Sequence, residues 1–361
     1  MHLTQLHLRH FRNHSEQDWH FSPAVNALVG PNGSGKTNVL EAIYLLCLTK
    51  TSASWPDILN ISHEEPYFQV DGWFQDTAYP ERITCSFQRG HKKVFLHDQV
   101  PYERLSDHVG KFPLVFLSPE DTDLIRDSSD VRRRFVDSIL SQASPAFLQD
   151  YQLYQKTLDQ RNRALKHMAQ HRRWDALLLD TYDAILVPTG QRIYEARQRF
   201  LSEFLPLFQT HYHTLSDGQE KVQIQHESSC GYPDFLEKFQ QSREADVQAQ
   251  RTLLGCHRDD FLFFLDGQPI RKMGSQGQKK SFVMALRLGQ YDLLANQTGK
   301  LPILLLDDIF DKLDEKRIHQ LIQHVNGPTM GQVFLTDARP ERTRSFLSTF
   351  TRHVNVWEAK R

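Results

Sequence analysis

The sequence predicts an α/β fold: a mainly parallel sheet, an antiparallel β subdomain and an inserted α-helical lobe. Three observations carry this expectation. The apolar run Val25 to Val29 ends at a glycine loop that opens into a helical pattern. Strand and helix signals alternate again towards residue 361, the mark of a parallel sheet. Between these two regions lie a stretch of period two and a long helical stretch.

Taken in order, residues 1–30 read as two strands. Leu3, Leu6 and Leu8 alternate loosely up to Phe11, and Val25-Asn26-Ala27-Leu28-Val29 is the second run. From Lys36, Val39, Leu40, Ile43, Leu46 and Cys47 recur at helical spacing. From residue 67 to 105 the period is two, as in Phe68/Val70, Ile83/Cys85/Phe87 and Val94/Leu96, with turns expected at Gly90 and Asp98-Gln99. From 130 to 215 the pattern is helical: Val131, Phe135 and Ile139 share a face, and two long segments flank the polar stretch His167 to Arg173. Pro188 is expected to kink or break the second of them. Periodicity leaves open whether these segments form an extended arm or a compact lobe. Strand signals return at Phe261–Leu265, Ile303–Leu306 and Val333–Leu335, with a helical set Ile318, Leu321, Ile322 and Val325 among them.

Composition narrows the class. A chain of 361 residues can bury a core without disulfides. Cys47, Cys85, Cys230 and Cys256 lie far apart with no Cys-x-x-Cys spacing, which points to reduced thiols and not to a zinc or redox pair. No long apolar run or secretory start is present, so a soluble, cytoplasmic protein without membrane contact is expected. Basic and acidic side chains number 43 and 44, a net charge of -1, so any binding of a polyanion must use local patches.

The chemistry is concentrated in three short segments. Gly30-Pro31-Asn32-Gly33-Ser34-Gly35-Lys36-Thr37 matches G-x-x-x-x-G-K-[S/T] and sits between the predicted strand and helix that such a loop needs. Its glycines let backbone N–H groups curl around phosphates, Lys36 reaches the β- and γ-phosphates, and the Thr37 hydroxyl is placed for Mg²⁺. Second, the apolar strand Ile303–Leu306 ends in Asp307 and Asp308. Asp307 is expected to hold Mg²⁺ through water and Asp308 to orient the attacking water, its short side chain making hydrolysis slow. Third, Ser275-Gln276-Gly277-Gln278 opens a helical pattern, a second anion-binding geometry far from the first in sequence.

These segments resemble the Walker A, Walker B and signature motifs of ABC ATPases. The opening Phe11-Arg12-Asn13 and the run Asn38-Val39-Leu40-Glu41-Ala42 after the phosphate loop resemble the SMC and RecF branch. More than 200 residues separate phosphate loop and signature, too many for a transporter subunit and too few for an SMC coiled coil. The RecF family has that anatomy, and Ser118–Asp121, Arg132–Asp137, Gly255–Asp260 and Ser275–Lys280 are similar to it as well. The resemblance implies an ABC-type P-loop ATPase head made of residues 1–115 and 246–361, split by a helical lobe at 116–245. It implies that Arg12 joins the nucleotide site and that Ser275, Gly277 and Gln278 cap ATP held by a second copy, with Asp311 to Asp314 turning beside the dimer interface. It also implies a weak, DNA-stimulated ATPase of recombinational DNA repair and replication that dimerises with ATP on duplex or gapped DNA and works with a RecR-type mediator. The sequence departs from the common ABC pattern at Gln276 in place of glycine, Asp308 in place of glutamate, and Thr336-Asp337 where a histidine usually stands. No glutamine-loop residue is assigned. An ABC transporter subunit and a nucleotide-binding module without turnover are the alternatives.

For the DNA surface, the acid-free cluster Arg161, Arg163, Lys166, Arg172 and Arg173 beside Trp174 is the leading candidate, with Arg132–Arg134 and Lys92-Lys93 as smaller ones. His257-Arg258-Asp259 imitates a kinase catalytic loop, but Phe264 stands where its asparagine belongs, so that reading fails.

Overall fold

In a computed structural model, all residues are described except 54, 77–78, 217, 219, 309–314 and 359–361, together with the side chains of 340, 342 and 344. Among the described residues the chain opens with β1 (His2–Phe11), β2 (His14–His20), β3 (Val25–Val29) and α1 (Lys36–Leu48). The strands β4 (Tyr67–Gln75), β5 (Glu81–Gln88), β6 (Val94–His97), β7 (Val100–Pro101) and β8 (Leu114–Leu117) follow. Helices α2 (Asp123–Arg126), α3 (Ser129–Ala143), α4 (Pro145–His171) and α5 (Ala176–Ser216) lead to β9 (Val222–Glu227), α6 (Phe235–Gln241) and α7 (Arg243–Ala249). Then come β10 (Asp260–Leu265), β11 (Gln268–Pro269), α8 (Ile270–Met273), α9 (Gln276–Thr298) and β12 (Ile303–Leu306). The last are α10 (Glu315–Val325), β13 (Val333–Asp337), α11 (Pro340–Leu347) and β14 (Val354–Glu358). No helix among the described residues is long and apolar enough to cross a membrane.

These elements gather into two compact units. The first holds residues 1–122, 211–218 and 280–361; the second holds 123–210 and 219–279. Ser275 to Lys279 therefore fall in the second unit.

In the first unit a parallel sheet of order β14-β3-β13-β12-β8 and an antiparallel sheet of order β2-β1-β4-β5-β6-β7 share one core. Helix α1 is buried on almost every side, from Val39 and Leu40 to Leu46 and Cys47, because both sheets pack on it. Phe68, Phe74, Ile83 and Cys85 face it from the antiparallel sheet, and Leu28, Leu305 and Phe334 belong to the same core from the parallel one. Buried Gln332 stitches the sheets together, accepting from Leu3 N at 2.7 Å and donating to Leu3 O and Ser22 O, each at 2.8 Å.

Strand β2 lies outside the two strands read in residues 1–30. Only His14 and Trp19 of its seven residues are buried, so an edge strand paired to β1 carries little apolar signal. Strands β8, β9 and β14 lie outside the strands the sequence predicts, β8 because four apolar residues are too short to show a period.

In the second unit α4 and α5 form an antiparallel hairpin: Arg192 reaches Asp150 at 2.6 Å and Arg161 reaches Asp183 at 3.0 Å. Helix α5 does not end at Pro188; it runs through both Pro188 and Pro206. Pro188 supplies no N–H, and hydroxyls supplement the backbone ladder nearby: Thr189 Oγ1 donates to Ile185 O at 2.5 Å and Thr210 Oγ1 to Pro206 O at 2.9 Å. A second network holds α3 and β10, where Arg197 bonds Asp137 and Asp259 and Arg132 bonds Asp260. Asp259 of the kinase-like tripeptide is thus a buried structural acid. All four cysteines are buried and free.

Candidate functional site

The phosphate loop joins β3 to α1 in the first unit. Gly35 ends it at φ +93°, and a Cβ there would meet His14 Nε2 at 2.6 Å and Asn13 Nδ2 at 2.8 Å, so glycine is required twice over. No side chain caps α1 at Gly35. The N–H groups of its first turn are therefore left for an anion. Asn13 Nδ2 donates to Gly33 O at 3.4 Å, and His14 Nε2 lies 3.1 Å from Gly35 O, bracing the loop from the β1–β2 turn.

Lys36 Nζ donates to Gly30 O at 2.7 Å and Pro31 O at 2.8 Å, folded back on its own loop. Burial draws its ammonium below the ordinary lysine value, while Asp308, Asp307 and Asp337 pull the other way. Thr37 Oγ1, at the start of α1 after β3, donates to Asp307 Oδ1 at 2.9 Å, past the end of β13, which lies between β3 and β12 in the parallel sheet. Thr336 Oγ1 at the end of β13 donates to the same Asp307 oxygen at 2.6 Å and accepts from Asp308 N at 2.9 Å. Asp308 turns out of the strand with φ +45°. A cavity of about 320 Å³ is lined by Asn32, Gly33, Gly35, Lys36, Thr37, Asn38, Asp308 and Thr336. The structure therefore brings the phosphate loop and the carboxylate strand end, some 270 residues apart, into one site.

Arg12, at φ +54°, donates to Asn38 Oδ1 at 3.0 Å and Asn60 Oδ1 at 3.1 Å and lies 4.0 Å from Glu41. Its guanidinium carbon sits 5.2 Å from the Trp55 ring centroid. Asn13, Asn38 and Thr336 stand in segments the sequence marks by resemblance or by departure from the ABC pattern, without a site role assigned to them; His14 carries no sequence signal beyond its place beside Asn13.

Ser275, Gly277 and Gln278 belong to the second unit. Gln278 N donates to Ser275 Oγ at 3.2 Å and Ser275 N donates to Gln278 Oε1 at 2.6 Å, the reciprocal capping box of a helix start. Gln278 Nε2 also donates to Glu220 at 2.6 Å. Ser275 is exposed at the head of the 23-residue α9. The turn expected at Asp311 to Asp314 lies outside the described residues.

The basic cluster needs one correction. Arg161 is fully buried, bonded to Asp183, Asp246 and Thr252, because the α4 face that carries it packs on α5 and α7. It cannot meet phosphate. Arg163, Lys166, Arg172 and Arg173 are exposed, and Arg163 and Arg173 flank a groove of about 610 Å³ with His167 and Tyr182. Arg132 is likewise taken up by Asp260, and Lys93 by Asp57, so the two smaller clusters each lose a member.

A protein-family model described as an AAA domain matches residues 5–323. The DNA replication and repair protein RecF of Cytophaga hutchinsonii is 44% identical over 357 residues, 99% of this chain and 94% of that protein. The chain belongs to the RecF family of AAA-domain proteins. The RecF of Flavobacterium johnsoniae is 42% identical, covering 97% of each chain. A solved structure described as the recombination mediator protein RecF-ATPrS in the RecFOR pathway superposes with a TM-score of 0.86 at 28% identity, covering 94% of this chain and 92% of that one. An Smc head domain from Pyrococcus furiosus, at 16% identity and a TM-score of 0.57 over 99% of this chain and 94% of that one, shares the fold. RecF membership and the ABC-type head agree with the resemblance drawn from the motifs.

Proposed function

We propose that this chain is an ATP-dependent DNA-binding protein of recombinational repair and replication, in which ATP joins two copies on duplex or gapped DNA and slow hydrolysis releases them. The carrying observation is the Thr37–Asp307 contact at 2.9 Å, made by the Thr37 that lines the cavity together with Lys36 and Asp308. A triphosphate in that cavity would meet the N–H groups at the start of α1, and Lys36 would exchange its two backbone carbonyls for phosphate oxygens. The Thr37 hydroxyl and the Asp307 carboxylate are hard oxygen donors, which fits Mg²⁺. Bound there, the ion would neutralise charge on the β- and γ-phosphates. Asp308 would then position water, and Thr336 would hold the Asp307 carboxylate and the Asp308 backbone in register.

Dimerisation rests on Ser275, Gly277 and Gln278. The capping box uses the N–H groups of Ser275 and Gln278, while Ser275 and Gln276 are exposed at the start of α9, where the γ-phosphate of ATP on a second copy would meet the positive end of the helix. DNA contact rests on Arg163, Lys166, Arg172 and Arg173, whose phosphate contacts would carry no base preference. Partner assembly with a RecR-type mediator and a cytoplasmic setting follow from the family's role.

The test is oligomeric state by light scattering with ADP, ATP, and ATP plus duplex DNA. Wild type should pass from monomer to dimer with ATP; Lys36→Ala should fail to bind nucleotide; Ser275→Arg should bind it and stay monomeric. A wild type that remains monomeric with ATP and DNA overturns the clamp reading, while phosphate release with and without DNA tells a turning-over enzyme from a static module.

A further inference from the structure

Away from the nucleotide site, three helices of the first unit bring His211 of α5, Asp292 of α9 and His324 of α10 together. One ring nitrogen of each histidine and one carboxylate oxygen lie within 4.8 Å of one another. His211 Nε2 is 2.6 Å from Asp292 Oδ2, and the two imidazoles meet edge to face with centroids 4.9 Å apart. His324 Nε2 is buried and makes no hydrogen bond. An ion pair between His211 and Asp292 accounts for two of the three residues and leaves that nitrogen unexplained; a buried polar atom without a partner is an exception that asks for a cause.

We propose that His211, Asp292 and His324 form a site for a divalent transition metal of the zinc class, separate from the Mg²⁺ position at Thr37 and Asp307. Two imidazoles and one carboxylate are a donor set that zinc takes readily with water as fourth ligand, whereas Mg²⁺ prefers oxygen alone. Tetrahedral zinc with bonds of roughly 2.0–2.1 Å holds its ligand atoms about 3.3 Å apart, so small side-chain rotations that open the 2.6 Å His211–Asp292 edge by about 0.7 Å and close the longer edges, at most 4.8 Å, by up to about 1.5 Å would fit the ion. The Asp292 side chain is 31% exposed, which leaves a route for the ion and its water. The ion would fasten the end of α5 to α9, the helix that Ser275 and Gln278 open, and to α10, the helix that follows the carboxylate strand end.

The experiment uses the full chain stripped with chelator, then dialysed against Zn²⁺ with excess Mg²⁺ present to fill oxygen sites. Wild type should retain about one zinc ion per chain. Both His324→Gln and Asp292→Asn should weaken it by roughly 10–100-fold or more, since even residues outside the ligand set change metal affinity by that much. His167→Gln, which breaks the other histidine pair at 4.3 Å on α4, should leave uptake unchanged. Co²⁺ should give absorption bands of a nitrogen- and oxygen-bound ion in wild type that vanish in His324→Gln. Zinc uptake that is absent in wild type, or equal in wild type and the two site variants, overturns the proposal. Asp292→Asn keeps size and hydrogen bonding, so it decides the matter if the histidine variant fails to fold.

Discussion

Replacing Arg161 with alanine separates two roles that one basic cluster had merged. Arg161 is fully buried; its Nε donates to Asp183 at 3.0 Å, and its Nη1 donates to Asp246 at 2.7 Å and Thr252 at 2.8 Å. Breaking a buried pair by removing one partner costs about 3–5 kcal/mol, because the remaining charge has no compensation. Here Asp183 keeps Arg243 at 2.6 Å, and Asp246 keeps the Leu253 N–H at 2.9 Å, so the low end, about 3 kcal/mol, applies. With a urea slope of about 2 kcal/mol per molar for a unit of this size, the midpoint should fall by about 1.5 M. Urea titration followed by circular dichroism reads that shift in the helical unit. The salt dependence of duplex binding, measured on the folded variant at low urea, should keep its slope. An unchanged midpoint together with a slope lower by about 0.9 would refute the reasoning, for that is the signature of one lost phosphate contact.

The other predictions concern the nucleotide site and the response to acid. Gly35→Ala should abolish ATP binding in a filter or fluorescence assay and destabilise the chain by about 1–3 kcal/mol, since the added Cβ meets His14 and Asn13 below 3 Å at a left-handed φ; normal ATP affinity in that variant contradicts the loop geometry. Asp307→Asn should lose the Mg²⁺ dependence of ATP binding while Asp308→Asn keeps it and slows phosphate release; equal behaviour of the two would merge roles the structure separates. Burial pulls the His108 imidazole from its ordinary 6.5 down to about 4, where its Nε2 meets Leu46 O at 2.6 Å. The unfolded chain therefore binds the extra proton first, so stability is full above about pH 6.5 and falls as pH drops towards 4, with about 2 kcal/mol lost to this group by pH 5. His257, drawn to about 4 by burial in the second unit, should add a similar loss there. Denaturant midpoints at pH 7 and pH 5 check both; equal midpoints would show these rings protonate freely when folded.

The phosphate loop and the Asp307-Asp308 strand end were legible because each is a contiguous segment whose function needs particular residues at fixed spacing. The strands β3, β10, β12 and β13 were legible because they are wholly or alternately apolar. Strand β2 was not, since five of its seven residues face water, and nothing in a polar edge strand distinguishes it from a loop. Of the kink or break expected at Pro188, the break does not occur, because propensity acts locally whereas α5 is held by packing along 41 residues.

What the sequence determined by itself is therefore local: a strand, a glycine turn and a helix that must cradle an anion, and a carboxylate pair at a strand end. Tertiary structure alone decided which distant groups meet. It set Thr336 beside Asp307, turned Arg161 inward onto two aspartates while leaving Arg163 and Arg173 in water, and gathered His211, Asp292 and His324 from three helices. The physical reason is that charge and hydrogen-bonding capacity are written in residue type, but burial and partner are properties of packing, and a one-dimensional period says which face a residue takes only when that face is apolar.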